Sequence, residues 1–171
     1  GSTTTFHIDT VALFRDPSAW YHFVVSVDAT NTSVKFYVNG VELEDFVVHT
    51  AVQNVNTIVN TATLHTIGKD PSGSYFSGYL AEVNFIDGAA LDATSFGAFD
   101  DNGVWQAIDT AGLTFGTNGF RLKFADNSGA TATTLGKDTS ANSNNWTPNN
   151  LSVAAGAGND SLVDSPTNGT A

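Results

Sequence analysis

Asn39-Gly40 sits between two runs that alternate apolar and polar side chains, Ser33 to Val38 and Val41 to Glu44. The pair tolerates the positive φ that both central residues of a type I′ turn require, and that turn has the twist of a β-hairpin. A two-residue connection fixes the register: Val38 faces Val41, Phe36 faces Leu43 and Lys35 faces Glu44. Val34, Phe36, Val38, Val41 and Leu43 then share the face expected to be buried. Lys35 and Glu44 form a cross-strand ion pair on the wet face, worth about 0.2–1 kcal/mol. A sheet so apolar on one side must lie against a second layer.

Other stretches carry the same period of two. Trp20 to Asp28 places Tyr21, Phe23, Val25 and Val27 on one face. Tyr75 to Leu91 reads as a long strand with Tyr79, Ala81, Val83 and Phe85 on one side and Glu82 and Asn84 on the other, closed by a turn at Asp87-Gly88. In Gly119 to Phe124 the alternation sends Phe120, Leu122 and Phe124 inward, Arg121 and Lys123 outward. Shorter strands are expected around Phe6 to Ile8, Ala12 to Phe14, Ala62 to Gly68 and Val104 to Ile108. Phe46 to Asn60 is less regular, Lys69 to Ser74 is a loop, and Asp92 to Phe99 makes one helical turn. The expected core is Val34, Phe36, Val38, Leu43, Val83, Phe85, Phe120, Leu122 and Phe124.

Composition agrees with many short strands joined by turns. Only 13% of residues are charged, and no amphipathic helix of useful length appears. A net charge of −11 with six basic residues argues against nucleic acid, whose phosphates need Lys and Arg. The apolar runs are too short for membrane insertion, and zero cysteine excludes disulfide and thiol chemistry. Zero methionine points to a portion of a longer reading frame. Near Ala125 large apolar side chains become sparse. This divides the chain into a β-sandwich portion, 1–124, and a Gly/Ala/Asn/Ser/Thr-rich arm or start of a following element, 125–171.

Four motifs in order carry a family resemblance: Trp20 with His22, Tyr37 to Gly40, Ile67-Gly68, and Phe76 to Val83 as Phe-x-Gly-x-Leu-x-Glu-Val. Together they resemble the C-terminal half of a laminin-G-like, or concanavalin A-like, domain. The resemblance implies an all-β, antiparallel β-sandwich, here incomplete and followed by an extended C-terminal arm, with His22 structural. Phe120 to Thr147 resembles the opening strand of such domains. The back half would then precede an element like the front. On that reading the arm completes its own sandwich or, as the favoured outcome, adds a strand to a neighbour. Residues 15–168 also resemble segments common in tailed-phage virion proteins.

Candidate sites follow from side-chain chemistry. Asp138, Ser140, Asn142 and Asn144 fall at alternate positions, the oxygen spacing that opens a calcium loop, with Asp126 available to help. The EF-hand glycine is missing, and Asn149 stands where its bidentate Glu belongs. The competing reading is an Asx-rich turn satisfied by its own side chains. Tyr75 and Tyr79, beside the Lys69 to Ser74 loop, and Trp146 are candidates for stacking on sugar rings, with core packing as the alternative for each. Glu42, Glu44 and Asp45 raise the question of a glycosidase, but no acid and nucleophile pair shares a strand face in the required pattern. The four histidines have no metal spacing. Sequons begin at Asn31, Asn145, Asn150, Asn159 and Asn168 and are largely a product of composition.

The expected function is a non-enzymatic structural or adhesion component of a viral particle or extracellular fibre, located on a virion or cell surface. Its expected partners are copies of itself, other virion or fibre proteins, and surface glycans. The alternatives are a filament or decoration subunit without ligand, and a secreted glycan-active enzyme.

Overall fold

The computed structural model describes residues 6–54 and 57–162. Val163 and Asn168 lie outside them, as does Val55. Among the described residues the regular elements are strands and two three-residue 3₁₀ turns, Ile58–Asn60 and Ala93–Ser95. The chain is all-β, and every strand pair is antiparallel. It forms two compact units, Gly1–Tyr79 and Leu80–Ala171.

In the first unit, β1 (Phe6–Thr10) pairs with a later strand, β5 (Phe46–Ala51), which the irregular spacing of its apolar residues had hidden. Between them β2 (Phe23–Asp28), β3 (Ser33–Val38) and β4 (Val41–Leu43) form a meander. Asn39 and Gly40 have φ of 48° and 79°, and Val38 faces Val41 while Phe36 faces Leu43, as the turn chemistry demands. Asn39 also anchors the preceding strand. Its Oδ1 accepts from the His22 N–H at 2.8 Å, and its N–H donates to the His22 carbonyl at 2.9 Å. Strand β4 stops at Leu43, so Glu44 leaves the ladder and Lys35 pairs diagonally with Glu42 at 3.1 Å instead.

The expected inward face of this meander needs correction. Val34 is buried, but Phe23, Val25, Val27 and Val41 are exposed, and Phe36, Val38 and Leu43 are only half-buried. The opposite face holds the buried Val24, Ser26 and Tyr37. Strand β2 is apolar in both phases, so alternation alone could not say which face is covered. Aromatic rings partly shield one another on the open face. Phe14 meets Tyr21 and Phe23 edge-on at 5.3 and 5.1 Å, and Phe23 stacks on Phe36 at 5.7 Å. Ala12 to Phe14 and Ala62 to Gly68 form no strand.

In the second unit β6 (Val83–Phe85) pairs with β9 (Phe120–Leu122), and β7 (Gly97–Phe99) with β8 (Trp105–Ala107). The expected strand from Tyr75 to Leu91 is thus reduced to three residues, because Glu82 takes φ of +48° immediately before them. Phe124, at φ of +54°, has already left β9 and is half-buried. The helical turn is present, capped by Asp92, whose Oδ1 accepts from the Thr94 N–H at 3.0 Å. Leu122 is 1% exposed, and Phe115, Phe120, Leu135 and Ala93 are buried with it. Phe85 stacks on Phe120 at 5.6 Å. Arg121, expected to face outward, is buried, because the chain after Ala125 closes over β9.

That closure uses the supposed arm. Leu122 bridges Asp138, the Thr139 N–H donates to the Arg121 carbonyl at 2.8 Å, and Leu135 is buried. Gly119 and Gly136 permit the close approach. A Cβ on Gly119 would lie 1.8 Å from the Phe115 carbonyl oxygen, and one on Gly136 the same distance from that of Trp146. The segment from Gly129 to Trp146 therefore folds back on its own chain.

Candidate functional site

The candidate binding surface lies in the first unit, where the loop Lys69 to Ser74 returns on itself. Asp70 organises it: Oδ1 accepts from Ser72 Oγ at 2.7 Å and from the Ser74 N–H at 2.9 Å. These donors hold the Asp70 carboxyl below its ordinary range, Ser72 Oγ contributing most. Lys69 and Tyr75 form an isolated antiparallel bridge across the loop. Directly opposed residues in an antiparallel pair project to the same side, and Lys69 Nζ lies 5.4 Å from the Tyr75 ring centroid.

The two tyrosines singled out from sequence are both open to solvent, Tyr75 at 69% and Tyr79 at 68% exposure. Beside Tyr79 stands Trp20, 48% exposed, with ring centroids 6.4 Å apart and planes tilted by 44°. In the sequence Trp20 reads as a strand residue and part of the family motif with His22; the structure places it ahead of β2, which begins at Phe23. Large aromatic rings left this exposed, two of them in contact, form a surface for apolar faces of a ligand with polar atoms at the ring edges. Trp146 belongs to the second unit, where it is half-buried and packs against Phe120 at 4.9 Å.

The residues considered for calcium converge on protein donors. Asp138 is buried, and its Oδ1 accepts from the N–H groups of Arg121 and Ser140, each at 2.8 Å. Its Oδ2 accepts from Ser140 Oγ and the Asn144 N–H, each at 2.9 Å. Asn142 Nδ2 donates to the carbonyls of Gly116 and Gly119 at 2.6 and 2.9 Å, and Asn144 Nδ2 to those of Thr117 and Gly119 at 3.1 and 2.9 Å. Asp126 instead accepts from Ser128, whose hydroxyl lies at 2.6 Å. Among the described residues no cluster of three or more His, Cys, Asp or Glu could hold a metal ion. The donor set fits an Asx-rich brace whose carboxylate lone pairs are already engaged.

Of the carboxylates considered for hydrolysis, Glu42 is engaged in an ion pair with Lys35. Glu82 lies 3.9 Å from Arg121, which also binds Asp109 at 2.6 Å. Burial lowers His22 below the usual imidazole range, consistent with the structural role implied for it. No helix among the described residues is long and apolar enough to cross a membrane.

A laminin G-type family model, described as the concanavalin A-like lectin/glucanases superfamily, matches residues 1–95, more than half of the chain. The chain belongs to that family. No curated protein and no solved structure matches it.

Proposed function

We propose that this chain is a non-enzymatic glycan-binding or adhesion module, displayed on a virion or extracellular fibre, with Tyr75, Tyr79 and Trp20 as its contact surface. The observation that carries the reading is the exposure of both tyrosines together with the Trp20–Tyr79 pair. Pyranose rings offer flat C–H faces to such side chains and hydroxyls to the surrounding loop. Family membership supports carbohydrate binding or adhesion as the general class. The resemblance to tailed-phage virion segments supports the setting, and the lack of an acid and nucleophile pair sharing a strand face in the sequence favours binding over hydrolysis. The test is a panel of immobilised glycans, with product analysis after prolonged incubation. Retention of intact glycan on the wild-type chain is expected; sugar release, or no retention at all, counts against the proposal.

A second reading, a structural subunit assembling with copies of itself or other fibre proteins, draws on the exposed Phe23, Val25, Val27 and Val41. Exposed apolar patches of this kind mark interaction sites. Light scattering across a concentration series separates the two, because a ligand-only module stays monomeric throughout.

A further inference from the structure

We infer that the preferred glycan is anionic, carrying a carboxylate or sulfate that Lys69 receives while the sugar rings lie on Tyr75 and Tyr79. This rests on the glycan-binding reading and specifies its ligand. The chain has six basic residues against seventeen acidic ones, so a cation held beside exposed aromatic rings is informative. Lys35 is held by Glu42, and Arg121 is buried between Asp109 and Glu82. Lys69, Arg15, Lys123 and Lys137 are all exposed, and among the described residues no carboxylate lies within ion-pair distance of any of them; Lys69 is set apart by the Tyr75 ring beside its ammonium.

Its position matters as much as its charge. Lys69 is paired with Tyr75 across the loop, and its ammonium lies against that ring. Neighbouring Asp70 is the obvious competitor for it. That carboxylate is turned onto Ser72 and Ser74 of its own loop instead. Tyr79 is four positions on from Tyr75, which limits the two to about 14 Å along an extended chain. A short oligosaccharide spans such a distance, with its charged group at the Lys69 end. On a molecule of net charge −11, an anionic ligand would draw on this cation to offset repulsion.

The test uses matched pairs on one panel: sialylated and uronate-containing glycans, sulfated glycans, and the neutral counterpart of each. Wild type, Lys69→Gln, Lys69→Arg and Tyr79→Ala are compared at low and high salt. The expected result is retention of the acidic members, weakened about tenfold in Lys69→Gln, the loss that 1.4 kcal/mol produces. Lys69→Arg should restore it, and salt should weaken wild type more than Lys69→Gln. The carboxylate and sulfate arms identify which anion is taken. Equal retention of neutral and acidic members, lost only in Tyr79→Ala, overturns this inference and leaves the glycan-binding reading standing. No retention of any member overturns both.

Discussion

Asp138 Oδ1 lies 2.8 Å from the backbone N–H of Arg121, joining two residues seventeen positions apart. The bond is returned one residue on, where the Thr139 N–H donates to the Arg121 carbonyl at 2.8 Å. A segment of mostly small polar residues is thereby fixed to β9, and β9 is covered on both faces. Asp138→Ala would strand several donors at once, at about 1–3 kcal/mol for each that stays buried. A loss of about 3 kcal/mol in urea unfolding is expected; an unchanged midpoint would show that the brace is dispensable.

The same carboxylate gives the stability a pH dependence. Burial alone would raise the Asp138 pKa, but the donors from Arg121, Ser140 and Asn144 outweigh it and hold the group below its ordinary 3.8. A depressed folded value contributes stability fully above the unfolded value, lost as pH falls through the folded one. Melting temperature should therefore decline more steeply below about pH 4 in wild type than in Asp138→Asn. Parallel acid profiles would remove Asp138 from the account.

Because the oxygens of Asp138 already accept four protein donors, the brace should not depend on calcium. Melts in millimolar calcium and in chelator are expected to coincide. A melting temperature that climbs with calcium concentration would mean that a cation binds the folded form.

Packing predicts unequal costs for two residues that alternation treats alike. Leu122 is 1% exposed, whereas Phe36 is half-buried and leans on the exposed Phe23. Leu122→Ala should cost about 3–4 kcal/mol and Phe36→Ala less than about 3. Gly119→Ala should rival Leu122→Ala, since its Cβ would overlap a backbone carbonyl, while Gly112→Ala meets nothing within 4 Å. Thermal and urea melts of the four variants check the ranking, and a costlier Phe36→Ala would reverse it.

The hairpin was legible because two independent signals, Asn39-Gly40 and the flanking alternation, demand one register. Trp105–Ala107 falls inside the short strand expected around Val104 to Ile108. The long strand through Tyr79 was misjudged, since period-two spacing does not reveal that Glu82 adopts a left-handed backbone. Burial of Arg121 was illegible for a different reason: its partners Glu82 and Asp109 are remote in sequence and come together only once β6 and β9 pair. At the candidate site, proximity to a loop suggested Tyr75 and Tyr79. Nothing local marked Trp20, which reaches Tyr79 from far upstream, or Lys69, whose pairing with Tyr75 depends on how Asp70 closes the loop.

The central claim is that the exposed aromatic rings of the first unit serve binding, not folding. Tyr75→Ala/Tyr79→Ala tests it most directly, measured by titration with a glycan that wild type retains and by thermal melting of both proteins. With both side chains more than two-thirds exposed, the double variant should melt with wild type. It should bind at least about tenfold more weakly, a loss of 1.4 kcal/mol or more. Unchanged affinity in a folded double variant would contradict the account, as would a collapse of stability that makes the rings part of the core.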